Sequence, residues 1–174
     1  MKYDPRIHCR RSIRLQKYDY SNQGAYFITL CTWNRESILG SVLNSVMQLS
    51  RFGDIVMRCW QDLPNHYSNI AMDEIVIMPN HLHGIIWVNS NIDRTGLKPA
   101  PTGKQHGLPE IDRALKTFSS RQINKRRNTS GTPVWQRNYF DRVIRNETEL
   151  YKIREYIRNN PLQWELDENN PENL

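Results

Sequence analysis

IAMDEIVIMPNHLHGIIWV, residues 70–88, decides how this chain folds. Its halves, IAMDEIVIM (70–78) and HLHGIIWV (81–88), are β-branched, apolar runs of strand length. Pro79-Asn80 between them is a turn signal, so the stretch reads as a β-hairpin. Two histidines, His81 and His83, interrupt a run that otherwise suits a core. Residues i and i+2 of a strand share a face, so the two imidazoles project together and Leu82 points the other way. Side by side they make a two-point clamp for a metal ion. On spacing alone they serve equally well as polar residues on a solvated sheet face.

Working outward, AYFITLCTW (25–33) reads as another buried strand, and residues 37–49 as a small hairpin. Phe52, Ile55, Val56, Cys59, Trp60 and Leu63 follow a helical period, with Ser50 as N-cap and Pro64 closing the helix. Gly and Pro crowd residues 90–108, which read as a long loop. A helix from Pro109 to Arg126 follows, with Ile111, Ala114, Leu115 and Phe118 as its apolar face. VWQRNYFDRVI (134–144) reads as a bent or bulged strand. Asn146 caps a last helix, with Glu149 in the reciprocal position, and Pro161 stops it after Asn160.

The expected fold class is therefore α+β, a ferredoxin-like or RRM-like βαββαβ unit. It has an antiparallel sheet with helices on one face, the other face left open for work, and an additional C-terminal helix. The expected organisation is a basic arm over 1–24, one domain over 25–164 and an acidic tail over 165–174.

With 174 residues, 38% hydrophobic and 24% charged, the chain can bury a core and is not of disordered composition. It shows no apolar run of membrane-spanning length and no leader pattern, so the expected location is cytoplasmic, away from membranes. Cys9, Cys31 and Cys59 are too far apart for a CxxC site and are expected to be reduced thiols. The net charge is +6 and the pI about 9.4, with basic clusters in residues 2–17 and 116–127, which suits a polyanionic partner.

The last helix adds chemistry. Tyr156 and Asn160 are four residues apart and share a face, as does Lys152 one turn earlier. Leu150, Ile153 and Ile157 form the adjoining stripe that docks the helix. If this helix faces the histidine pair, the Tyr156 hydroxyl is a nucleophile placed beside a metal clamp. Asn160 offers a third, oxygen ligand, and such a set suits Mg²⁺ or Mn²⁺.

The chain resembles the REP-associated tyrosine transposases, a branch of the single-tyrosine HUH transposase superfamily. The resemblance rests on RRSIRLQKYDYSNQGAYFITLCTWNRE (10–36), MPNHLHGIIW (78–87), VWQRNYFDRVIRNETEL (134–150) and IREYIRNNP (153–161). It implies His81 and His83 as metal ligands, Tyr156 as nucleophile and Asn160 as the helix-borne third ligand. It also implies cleavage of single-stranded DNA beside a hairpin, leaving a 5′-phosphotyrosine and a free 3′-OH, and rejoining by the reverse attack. Many relatives in the superfamily have Gln where Asn160 stands and exchange catalytic helices in a dimer, so monomer and homodimer both remain open.

The expected DNA contacts are Arg10, Arg11 and Arg14 on the arm, Lys116, Arg121, Lys125 and Arg126 on the second long helix, Arg137, Arg142 and Arg145 along the last strand, and Lys152. Trp135 and Tyr139 are candidates for stacking on bases, although Trp135 suits the core at least as well. Two other readings stay open: a metal-dependent nuclease using activated water, and a nucleic-acid-binding protein without catalysis. A histidine-triad hydrolase fits less well, because Ile85 stands where that motif places a third alternating histidine.

Overall fold

The fold was obtained as a computed structural model that describes residues 18–88, 106–167 and 170. Strand β1 (Gly24–Cys31) leads into a short 3-10 turn at Trp33–Arg35. The hairpin β2 (Gly40–Leu43) and β3 (Val46–Leu49) follows, then α1 (Arg51–His66). Next come β4 (Ile70–Ile77), β5 (His81–Val88) and α2 (Leu108–Arg127). Last are β6 (Phe140–Ile144), α3 (Glu147–Asn159) and a second 3-10 segment at Asn160–Leu166.

β4, β5, β1 and β6 form one sheet in that order, with every neighbouring pair antiparallel. Leaving aside the β2–β3 hairpin, which forms its own small sheet, this is the expected βαββαβ architecture. β5 and β1 are the central strands, with apolar side chains on both faces, which explains their nearly continuous apolar runs. On one face Tyr26, Ile28, Leu30, Leu82 and Ile86 meet Trp60 and Leu63 of α1 and Ile111 and Leu115 of α2. On the other, Ala25, Phe27, Ile85 and Ile144 meet Leu150 and Ile157 of α3. The second face is therefore not open, as the sequence suggested: α3 lies on it. Among the described residues no helix is long and apolar enough to cross a membrane.

Gly84 sets the spacing between β5 and α1. A Cβ at this position would lie 2.4 Å from Cη2 of Trp60, whose ring is buried. Gly84→Ala is expected to destabilise the fold by about 1–3 kcal/mol, because the packed indole cannot move aside. A denaturant melt that moves by less than a few tenths of a kcal/mol would contradict this.

Several boundaries differ from expectation for identifiable reasons. Pro64 sits in the last turn of α1 rather than ending it, and Tyr67 N donates to Leu63 O to close the helix. Strand pairing over 134–144 is confined to Phe140–Ile144, with an isolated bridge between Trp135 and Thr32. Between them the Lys116 ammonium donates to the carbonyls of Arg137 and Asn138, which takes those acceptors out of a ladder. Pro161 ends α3, yet it opens the 3-10 segment that carries the chain onward. Tyr20, from the stretch read as an arm, is buried in the core, and its carbonyl accepts from Leu108 N at the start of α2.

Candidate active site

β5 places His81 and His83 on the α3 face of the sheet, and both are buried. Their Nε2 atoms approach to 3.1 Å. Each Nδ1 has its own partner: Asn80 Oδ1 at 2.9 Å for His81, and Thr29 Oγ1 on β1 at 2.8 Å for His83. Asn80 Nδ2 donates to Arg35 O, so the Oδ1 facing His81 is the acceptor and His81 Nδ1 carries the proton. The His81 Nε2 lone pair is then directed at His83 Nε2. This arrangement orients the imidazole for a cation.

Burial is the main reason both rings stay uncharged. It lowers His81 to about 4, helped by the nearby Arg35 charge, and His83 to about 3, with His81 adding to the shift and Asp167 opposing it. An unfolded histidine titrates near 6.5. Between these values the unfolded chain binds more protons than the folded one, so stability is complete above pH 6.5 and drains as the pH falls. In EDTA, the Tm is expected to drop by roughly 5 °C or more between pH 7 and pH 5. A His81→Gln/His83→Gln chain should lose most of that slope, and an unchanged slope would contradict the assignment.

α3 brings the tyrosine. The Tyr156 hydroxyl lies 3.2 Å from His83 Nε2, with its ring edge-on to His83 and to Phe27. Phe27 in turn stacks on His83, with centroids 5.4 Å apart. Tyr156 is 41% exposed, in contrast to the two buried histidines. α3 is held on its own sheet by acids from β4. Arg154 makes a two-pronged pair with Asp73, which also accepts from Trp87 Nε1, and Arg158 pairs with Glu74. Asp73 and Glu74 sit in the irregularity between Met72 and Ile75, where the ladder to β5 shifts register. The tyrosine thus meets the histidines within a single chain.

Two further groups belong to this centre. Asn160, at the end of α3, is buried and its Oδ1 has no hydrogen-bond partner among the described residues. The 3-10 segment folds back so that Trp164 approaches His81 and Asp167 Oδ2 comes 3.9 Å from His81 Nε2. His81, His83 and Asp167 each offer a ligand atom, all within 4.8 Å of one another. Asp167 escaped the sequence reading, which assigned it to an acidic tail. Its position depends on the chain continuing in 3-10 geometry past Pro161, for which the sequence carries no periodic signal.

The basic residues separate into groups. Arg121, Lys125 and Arg137 line a cleft of about 860 Å³ between α2 and the 128–137 segment. Arg126 is exposed on α2 outside it. Arg142, Arg145 and Lys152 line a second cleft, of about 720 Å³, between β6 and α3. Lys116 is not a free contact, since it pairs with Asp112, donates to two carbonyls and sits over the Tyr139 ring. Trp135 and Tyr139 are buried, and Trp135 Nε1 donates to Ser119 Oγ, so neither is a stacking surface. Arg10, Arg11 and Arg14 lie outside the described residues.

Comparison with known proteins gives three informative likenesses. An uncharacterized protein of Haemophilus influenzae is 39% identical over 175 residues, covering 96% of each chain. A second Haemophilus influenzae protein, provisionally named a REP-associated tyrosine transposase, is 26% identical over 149 residues, covering 83% of this chain and 74% of its own. A solved REP-associated tyrosine transposase bound to a REP hairpin superposes with a TM-score of 0.61 at 18% identity, over 86% of this chain and 73% of that one, and shares its fold. No family model matches.

Proposed function

We propose that the chain is a REP-associated tyrosine transposase, a reading supported by its likeness to proteins of that name, and that it cuts and rejoins single-stranded hairpin DNA through a covalent 5′-phosphotyrosine at Tyr156. One observation carries this reading above the others: the Tyr156 hydroxyl sits 3.2 Å from His83 Nε2, in the same cluster as His81 and Asp167.

The donor set fits a small divalent cation, Mg²⁺ or Mn²⁺. It combines two buried neutral imidazoles, a carboxylate and an orphaned amide oxygen. His81 and His83 would hold the ion, with Asp167 or Asn160 completing the set. When bound, it supplies positive charge against the oxygens of a scissile phosphate.

The chain's own residues do the rest. Tyr156 Oη attacks phosphorus, forming the phenol–phosphorus bond as the phosphorus–O3′ bond breaks. The phenol gives up one proton and the departing 3′-oxygen takes up one, so the step is proton-neutral. One phosphodiester replaces another, so no energy cofactor is consumed and the reverse attack by a 3′-OH rejoins the strand. Phe27 and His83 fix the plane of the tyrosine ring, while the Arg154–Asp73 pair fixes the helix that bears it. Arg121, Lys125, Arg137 and Arg126 on one side, and Arg142, Arg145 and Lys152 on the other, supply the phosphate contacts.

The test is incubation with single-stranded hairpin DNA and Mn²⁺, followed by mass analysis of the protein. A Tyr156–DNA adduct with a free 3′-OH product is expected. Cleavage with no adduct, or an adduct on another residue, would overturn the proposal.

A further inference from the structure

We infer that Phe140 is the stacking platform for a base flanking the scissile phosphate, and that the cleft beside it holds that nucleotide. This rests on the tyrosine-transposase reading above and names the part of the substrate that the site grips.

β6 is an edge strand of the sheet, and Phe140 stands directly across from Thr29, the residue that holds His83 Nδ1. Alternation along β6 puts Phe140, Arg142 and Ile144 on the α3 face. Ile144 and Phe27 are in the apolar cluster under α3. Phe140 is 45% exposed, and its ring meets Phe27 edge-on with centroids 6.4 Å apart. Phe27 is buried and touches the rings of both His83 and Tyr156. Phe140 is thus an open aromatic surface, braced from behind and one ring removed from the reacting hydroxyl.

The cleft of about 720 Å³ that Phe140 lines has the chemistry of a nucleotide site. Arg142, Arg145 and Lys152 surround it, and Lys152 makes no ion pair with the described residues. Arg142 is tethered to Glu149, which fixes its guanidinium at the rim. Asn146 and Thr148 add polar groups for a sugar or a base edge. A base can lie on Phe140 only if it has left a duplex stack, so the platform favours single strands. The two residues first considered for stacking, Trp135 and Tyr139, are buried in the opposite core, which leaves this role to Phe140.

The test measures binding of labelled single-stranded oligonucleotides by fluorescence anisotropy, in EDTA so that nothing is cut. Phe140→Ala is expected to weaken binding roughly 5- to 100-fold, while Phe140→Trp retains it. An abasic site is then walked along the strand. At one position it should weaken wild-type binding by a similar factor and leave Phe140→Ala unaffected, because the ring and the base are the two halves of one contact. If wild type binds single strands and Phe140→Ala binds them equally well, the platform is wrong while the family reading stands. If wild type shows no preference for single strands over duplex, the reading beneath it fails as well.

Discussion

Tyr156→Phe abolishes the covalent adduct and lowers strand cleavage by at least about 10⁴-fold, the expected result of removing a nucleophile rather than a binding group. The substitution deletes one oxygen. The ring contacts with Phe27 and His83 survive it, so folding should change by no more than about 1 kcal/mol, the worth of one partly exposed hydrogen bond. Mn²⁺ affinity should stay within about threefold, because the phenol is not among the proposed ligands. These three readouts separate the competing mechanisms. A nuclease that activates water would keep most of its rate in the variant. A protein that only binds DNA would show no cleavage in either form, with equal affinity in both. Rates in Tyr156→Phe close to wild type would remove the tyrosine from the mechanism.

How much of this was legible beforehand follows from which residues carry local signals. β5 was readable to the residue, because a Pro-Asn turn bounds one end and every position in it is apolar, glycine or histidine. The α1 cap was readable because Ser50 precedes a strict helical period, and its Oγ does accept from Phe52 N and Gly53 N. The i to i+2 and i to i+4 rules placed the two histidines on one face, and Tyr156 with Asn160 on one face of the last helix. What local rules could not supply was how the faces meet. The Asp73–Arg154 pair joins residues 81 positions apart, and nothing in either neighbourhood announces it. Lys116 was misread in the same way, and Trp135 could be read either as a stacking surface or as core. Both are of types that suit a DNA surface, but tertiary contacts drew one onto Asp112 and the carbonyls before β6 and the other under α2. Asp167 was missed because 3-10 geometry after a proline leaves no hydrophobic period to follow.

His81→Ala is expected to lower Mn²⁺ affinity by at least about 100-fold and to remove cleavage with it, since it deletes one of two imidazoles that face each other across 3.1 Å. The same change removes the His81–Asn80 hydrogen bond, which costs about 0.5–1.5 kcal/mol and complicates a simple loss of activity. Thr29→Val avoids that difficulty. It keeps the ligands and the shape of β1 but takes away the hydroxyl that orients His83, so affinity should fall by about 10-fold with the fold retained. The third ligand is decided by a pair of variants. If the carboxylate binds, Asp167→Asn weakens Mn²⁺ more than Asn160→Ala does, because a neutral amide replaces a charged oxygen. If the helix-borne amide binds, the order reverses, and Asn160→Asp should tighten the ion. Calorimetric titration of Mn²⁺ into each protein measures all of these directly. Affinity unchanged by His81→Ala, in a chain that still melts cooperatively, would mean that the imidazole pair is a buried polar contact of the core and that the chemistry lies elsewhere.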